Sequence, residues 1–161
     1  MDIVYIETTF ISLLVADPSR DLITAANQQA TRDWWDRRRQ SFECVTSDEV
    51  LREASRGDPE QVRRRLEVIY SMSILRMTGE TESLTISFMD TGALPERARS
   101  DAAHLAIATM AKADFLMTWN CRHLANAQIL RTLRRQAALL GWELPFVCTP
   151  PELMADFPDE H

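Results

Sequence analysis

Residues 98–124 read ARSDAAHLAIATMAKADFLMTWNCRHL, and they restrict the fold more than any other stretch of the chain. The spacing predicts a helix from about Pro95 to Lys112, rich in Ala, with Leu105, Ile107 and Met110 as its larger apolar groups. Its polar residues thin out after His104, so most of its length is expected to pack against something flat. Small side chains let a helix approach a sheet closely, and Ala loses no rotamer entropy there. The apolar run Phe115–Thr118 that follows is too short for a helix and is bounded by Asp114 and Asn120, which predicts a buried strand. A second long helix is predicted from about Cys121 to Leu140. Thr118, Trp119 and Asn120 therefore sit at the C-terminal end of a strand, where open parallel sheets bind their ligands. Asp101 opens the first helix. A carboxylate there is a dipole partner or N-terminal cap, or it is a functional group, and this stretch alone does not choose.

The remainder of the chain alternates in the same way. Ile3, Val4, Tyr5 and Ile6 predict a strand buried on both faces, ending at Glu7-Thr8-Thr9. Phe10–Leu14 is a short helical or irregular apolar turn, and Ser19 is the expected N-cap of a long helix from Arg20 to about Gln40. Leu22, Ile23, Ala26, Ala30, Trp34 and Trp35 have the spacing of its buried stripe. Phe42–Val45 is the next strand, and Thr46 or Ser47 caps a helix carrying Asp48, Glu49, Leu51 and Glu53. Asp58-Pro59 starts another helix that runs to Tyr70, with Val62, Leu66, Ile69 and Tyr70 facing inward. Ser73–Met77 is a weak strand. Thr78–Thr91 is read as a helix, because a parallel sheet needs a crossover at that point. Gly141 closes the last long helix. A strand at Pro145–Cys148 and a short helix at Glu152–Ala155 complete one domain, residues 1–155. Asp156–His161 is a polar tail expected to fray.

Composition removes several classes. The chain has 161 residues, 45% of them hydrophobic, which excludes disorder. No apolar run reaches the ~20 residues that span a bilayer, so no membrane association is expected. The start, MDIVYIETTF, has no basic region of the kind that opens a secretory signal. Cys44, Cys121 and Cys148 fit neither a zinc spacing nor a disulfide framework, which suggests buried free thiols in a reducing, cytoplasmic setting. The only four glycines, Gly57, Gly79, Gly92 and Gly141, form no phosphate-cradling loop after a strand, which disfavours a nucleotide-binding, flavodoxin-like domain. Net charge is -6, yet Arg clusters at Arg37-Arg38-Arg39, at Arg63-Arg64-Arg65, and at Arg131 with Arg134-Arg135. Arg forks suit phosphate oxygens.

Helices alternating with strands imply an α/β/α sandwich around a four- to five-stranded, mainly parallel sheet. If the first and fourth strands are neighbours, Glu7, Asp101 and Asn120 converge at one edge of the sheet, with Glu53 in reach and Glu49 one turn earlier. Hard oxygen donors gathered in this way suit Mg²⁺ or Mn²⁺.

In YIETTFIS, VLREA, DAAHLAIA with DFLMTWN, and FVCTPPEL, the chain resembles the PIN domains, and among them the VapC-like toxins of bacterial toxin-antitoxin pairs. The resemblance runs from Val4 to Leu153. It implies that Glu7, Glu53 and Asp101 hold a divalent ion and that Asn120 completes the catalytic set as the asparagine of a Thr-x-Asn motif. It further implies a metal-dependent ribonuclease, a homodimer and an inhibiting antitoxin. Two residues depart from the family pattern: Glu7 stands where Asp is usual, and His123 stands where many members carry a further acid. His123 is then either a ligand of Mn²⁺ or a hydrogen-bonding surface group, and His104, one turn from Asp101, either orients that carboxylate or is a satisfied core histidine. These departures favour a second reading, a degenerate PIN domain that binds RNA or a protein without cutting. Trp34, Trp35 and the adjacent Arg run are the expected interface surface.

Overall fold

The computed structural model describes residues 1–155; the predicted tail, 156–161, lies outside the described residues. Five strands form one sheet: β1 (Ile3–Ile6), β2 (Glu43–Ser47), β3 (Ser73–Leu75), β4 (Phe115–Met117) and β5 (Phe146–Cys148). Their order is β3-β2-β1-β4-β5, and every pairing is parallel. Val4, Tyr5 and Ile6 of the central strand are completely buried, as residues covered on both faces must be.

Among the described residues, seven α-helices connect the strands: α1 (Thr8–Val15), α2 (Leu22–Arg37), α3 (Asp48–Ala54), α4 (Pro59–Ile69), α5 (Gly79–Asp90), α6 (Arg99–Met110) and α7 (Ala127–Leu139). Right-handed crossovers put α1 to α4 on one face of the sheet and α5 to α7 on the other. The packing agrees, since α1 lies against α2 and α4, and α5 against α6 and α7. The Ala-rich α6 is buried from Ala102 to Thr109 on every side. Residues 78–91 are helical, as the crossover argument requires; Thr78 and Thr81 form a reciprocal cap at the start of α5.

Chain order reverses between β1 and β4: from β1 the chain moves outward to β2 and β3, then jumps back across the sheet to β4 and β5. In open α/β sheets, the crevice beyond the strand ends at such a reversal is the ligand site.

Several expectations are corrected. No helix begins at Cys121. Asn120 Oδ1 accepts the His123 N–H at 3.0 Å, the Asn120 carbonyl accepts from Leu124 and Ala125, and Asn126 Oδ1 caps Gln128 and Ile129, so a closed turn precedes α7. Pro95 opens a 3₁₀ turn (Glu96–Ala98), and α6 proper starts at Arg99. Asp21, not Ser19, caps α2. Leu22 and Ile23 are 85% and 75% exposed, because the buried stripe of α2 is carried by Gln28, Thr31 and Trp34 further along. Tyr70, the residue that ends α4, is exposed. Cys121 is exposed as well, so only Cys148 is a buried thiol and Cys44 is half-buried. Trp34 belongs to the core, stacked on Phe42 with ring centres 5.6 Å apart and edge-on to Phe10, so it offers no interface surface. Among the described residues, no helix is long and apolar enough to cross a membrane.

Candidate functional site

Glu7 leaves β1 at the reversal point, its N–H bonded to the Met117 carbonyl of β4 at 3.1 Å. It is only 2% exposed. It also caps α1: Oε2 accepts the Thr9 N–H at 3.0 Å, the Thr9 hydroxyl, and the Thr118 hydroxyl at 2.8 Å. The other oxygen, Oε1, accepts no hydrogen bond among the described residues and stands 4.0 Å from His104 Nε2. Burial lifts the Glu7 carboxyl above its ordinary value, although His104 and the hydroxyl and amide donors pull the other way.

Glu53 comes from α3. That helix starts where Ser47, at the end of β2, accepts the Val50 N–H at 3.2 Å. Oε1 of Glu53 accepts from the Thr8 hydroxyl at 2.8 Å and from His104 Nε2. Burial works to raise its pKa, but the His104 hydrogen bond and charge, together with Thr8, outweigh it and hold Glu53 below its ordinary value. Glu49, a turn earlier, is occupied by Arg52 and by the Ser100 hydroxyl at 2.6 Å.

Asp101 and Asn120 meet across the sheet edge. Asn120 Nδ2 donates to Asp101 Oδ1 at 3.0 Å, and His123 Nδ1 lies 3.3 Å from Asp101 Oδ2. Asp101 is not the cap of α6; that position is Ala98, which has no side-chain hydrogen bond to give. Burial raises the Asp101 pKa against the opposing charges of His104 and His123.

His104 does not orient Asp101; it is a core histidine with a partner on each ring nitrogen. It is completely buried, with Nε2 on Glu53 and Nδ1 2.7 Å from the Tyr5 hydroxyl, which is itself 2.6 Å from Ser47 Oγ. Burial holds the Tyr5 phenol well above its ordinary pKa despite the Ser47 hydrogen bond, so Tyr5 is a neutral O–H.

The Thr118 hydroxyl donates to Glu7 and accepts the Asn120 N–H at 2.9 Å. The Trp119 N–H bonds Thr9 Oγ1 at 2.9 Å, and its indole N–H bonds Thr31 of α2 at 2.8 Å. Sequence reasoning did not single out Tyr5, Thr8, Thr9 and Ser47 as site residues. The legible signal for Tyr5 was a phenol inside the aliphatic strand IVYI, which needs a partner for its O–H.

The residues suit a divalent cation. Ligand atoms of Glu7, Glu53 and His104 all lie within 4.8 Å of one another, while Asp101 stands outside that tight group, one helical turn from His104. The Glu7 Oε1 is a carboxylate oxygen that accepts no hydrogen bond among the described residues, in a side chain that is almost wholly buried, and a cation beside it would offset its charge.

No family model matches the chain, and no curated protein matches it in sequence. Among solved structures, a chain of the crystal structure of VapBC2 from Rickettsia felis, bound to a DNA fragment from their promoter, superposes with a TM-score of 0.54. The two are 13% identical over 91% of this chain and 98% of that one. The likeness is one of fold: this chain has a VapC-like PIN fold.

Proposed function

We propose that this chain is a metal-dependent endoribonuclease of the PIN-domain toxin type, hydrolysing phosphodiester bonds in RNA. The observation that carries this reading is the Glu7 carboxylate, buried at the chain reversal with one oxygen pinned by three donors and the other left bare beside Glu53 and His104. Glu7, Glu53 and Asp101 would hold Mg²⁺ or Mn²⁺. A divalent ion, when bound, offsets phosphate charge and makes water acidic enough to attack in line. The chain's own residues do the rest. Thr9 and Thr118 fix the rotamer of Glu7, Thr8 fixes Glu53, and Asn120 holds Asp101 while its own carbonyl is tied to the turn. Within the same reading the protein is cytoplasmic, forms a homodimer and is held by an antitoxin partner.

The test is cleavage of single-stranded RNA by the purified chain with Mn²⁺ and by Asp101→Asn, an isosteric change that keeps an acceptor for Asn120. A metal-dependent cut that falls by about 100-fold or more in the variant supports the proposal. A cut of undiminished rate places the chemistry elsewhere. The binding-only reading is favoured by Glu7 and His123 at positions where the family carries Asp and a further acid; it predicts RNA retention with no cut in either protein.

A further inference from the structure

The proposed ion site departs from an all-carboxylate design at one residue. His104 lies at its centre, and both ring nitrogens are placed. Nε2 contacts Glu53 Oε1 and stands 4.0 Å from the bare Glu7 Oε1. Nδ1 lies 2.7 Å from Tyr5 Oη, which Ser47 backs at 2.6 Å. The ring is completely buried between β1 and α3.

We infer that the ion takes one nitrogen ligand, His104 Nε2, beside Glu7 and Glu53, and that the site therefore selects Mn²⁺ or a later first-row ion over Mg²⁺. The inference rests on the metal reading above and adds to it the identity of a ligand and of the ion. Three observations support it. The three ligand atoms already lie within 4.8 Å of one another. A histidine that binds metal through one nitrogen gives its other N–H to a fixed acceptor, which sets tautomer and ring orientation. With an ion bound, Tyr5 would be that acceptor: Nδ1–H would donate to Oη and the phenol onward to Ser47 Oγ, which leaves the Nε2 lone pair for the ion. Nε2–H donates to Glu53 Oε1; an ion held there would take the place of that proton, which would pass to solvent. A nitrogen ligand adds affinity along the first-row transition ions, least for Mn²⁺ and more for the later ones, whereas Mg²⁺ is bound through oxygen.

The chain has three histidines, His104, His123 and His161. Replacing His123 and His161 by Gln in the untagged full-length protein leaves His104 as the only imidazole. Pulsed electron paramagnetic resonance on that protein with Mn²⁺ is expected to show imidazole ¹⁴N coupling. In His104→Gln, the coupling is expected to vanish. Calorimetric competition is expected to show Mn²⁺ affinity falling about tenfold or more, with Mg²⁺ affinity changed by less than about threefold. If His104→Gln fails to fold by circular dichroism, the single-histidine protein decides unaided. Bound Mn²⁺ without ¹⁴N coupling in that protein overturns the inference and leaves an all-oxygen site, with the nuclease proposal intact. No Mn²⁺ binding by the unaltered chain, even with a non-cleavable RNA analogue, overturns both.

Discussion

Glu7 meets opposing demands in one side chain. Its placement requires hydrogen bonds to Thr9 and Thr118, and its burial works against the charge that those bonds stabilise. Burial is the larger effect, and the Glu7 pKa in the folded chain lies above the ordinary value of 4.5. Between those two values the folded state binds more protons than the unfolded one, so stability falls as pH rises through that window. The metal-free protein is therefore destabilised by Glu7 at neutral pH. Glu7→Gln is expected to raise the urea midpoint of the metal-free chain at pH 7 and to bring no such gain at about pH 3, where the Glu7 carboxyl is protonated in the folded and the unfolded chain alike. A midpoint lowered by the same amount at both pH values would show that the donors of Oε2 matter more than the charge. The site costs stability in the empty protein, which is how a residue kept for binding behaves.

Helix α6 carries the site and also packs the core. Ala102, Ala106 and Ala108 are completely buried, and the helix has no wet side from Ala102 to Thr109. Small residues let it lie close to the sheet, which brings Asp101 and His104 to the strand ends one turn apart. Ala106→Leu adds three carbons with no space for them and is expected to cost about 1–3 kcal/mol in urea unfolding. A loss below about 0.5 kcal/mol would mean that the layer spacing is set elsewhere. The turn between β4 and α7 is the complementary element. The sequence predicts a helix from about Cys121 at this point, whereas α7 starts at Ala127. What stops the helix is side-chain competition from Asn120 and Asn126, whose amides capture backbone N–H groups.

Across the whole molecule, the Arg clusters separate into two kinds. Arg63 and Arg64 are spent on Glu60, Glu67 and Asp17, Arg65 on the carbonyls of Ala54 and Arg56, and Arg39 lies 4.6 Å over the Trp35 ring. Arg122, Arg131, Arg134 and Arg135 are exposed and have no ion pair among the described residues. They follow Asn120 along the turn and α7, so an acidic protein of net charge -6 offers a local basic track that leads from the site. Reversing Arg131 and Arg134 to Glu is expected to weaken binding of single-stranded RNA about tenfold at 0.1 M salt. The slope of log affinity against log salt should fall by about 1 to 1.5, as loss of two phosphate contacts requires. An unchanged slope would remove α7 from the RNA path.

The sequence by itself determined the alternation of strands and helices, the parallel sheet, and the placing of Glu7 after β1, Glu53 in α3, Asp101 in the first turn of α6 and Asn120 after β4. These follow from local rules: apolar runs too short for helices, capping residues, and an Ala-rich stretch that only a buried helix explains. The tertiary structure alone decided which polar groups meet. Tyr5 and His104 are 99 residues apart, and His104 and Glu53 are 51 apart. No periodicity encodes a hydrogen bond between side chains on different elements, since its length depends on how close α6 lies to the sheet. For the same reason Leu22, Ile23 and Trp34 share one predicted stripe, yet Leu22 and Ile23 are exposed while Trp34 is buried. A helix pattern states which residues share a face, and the neighbouring elements decide how far along that face the cover extends.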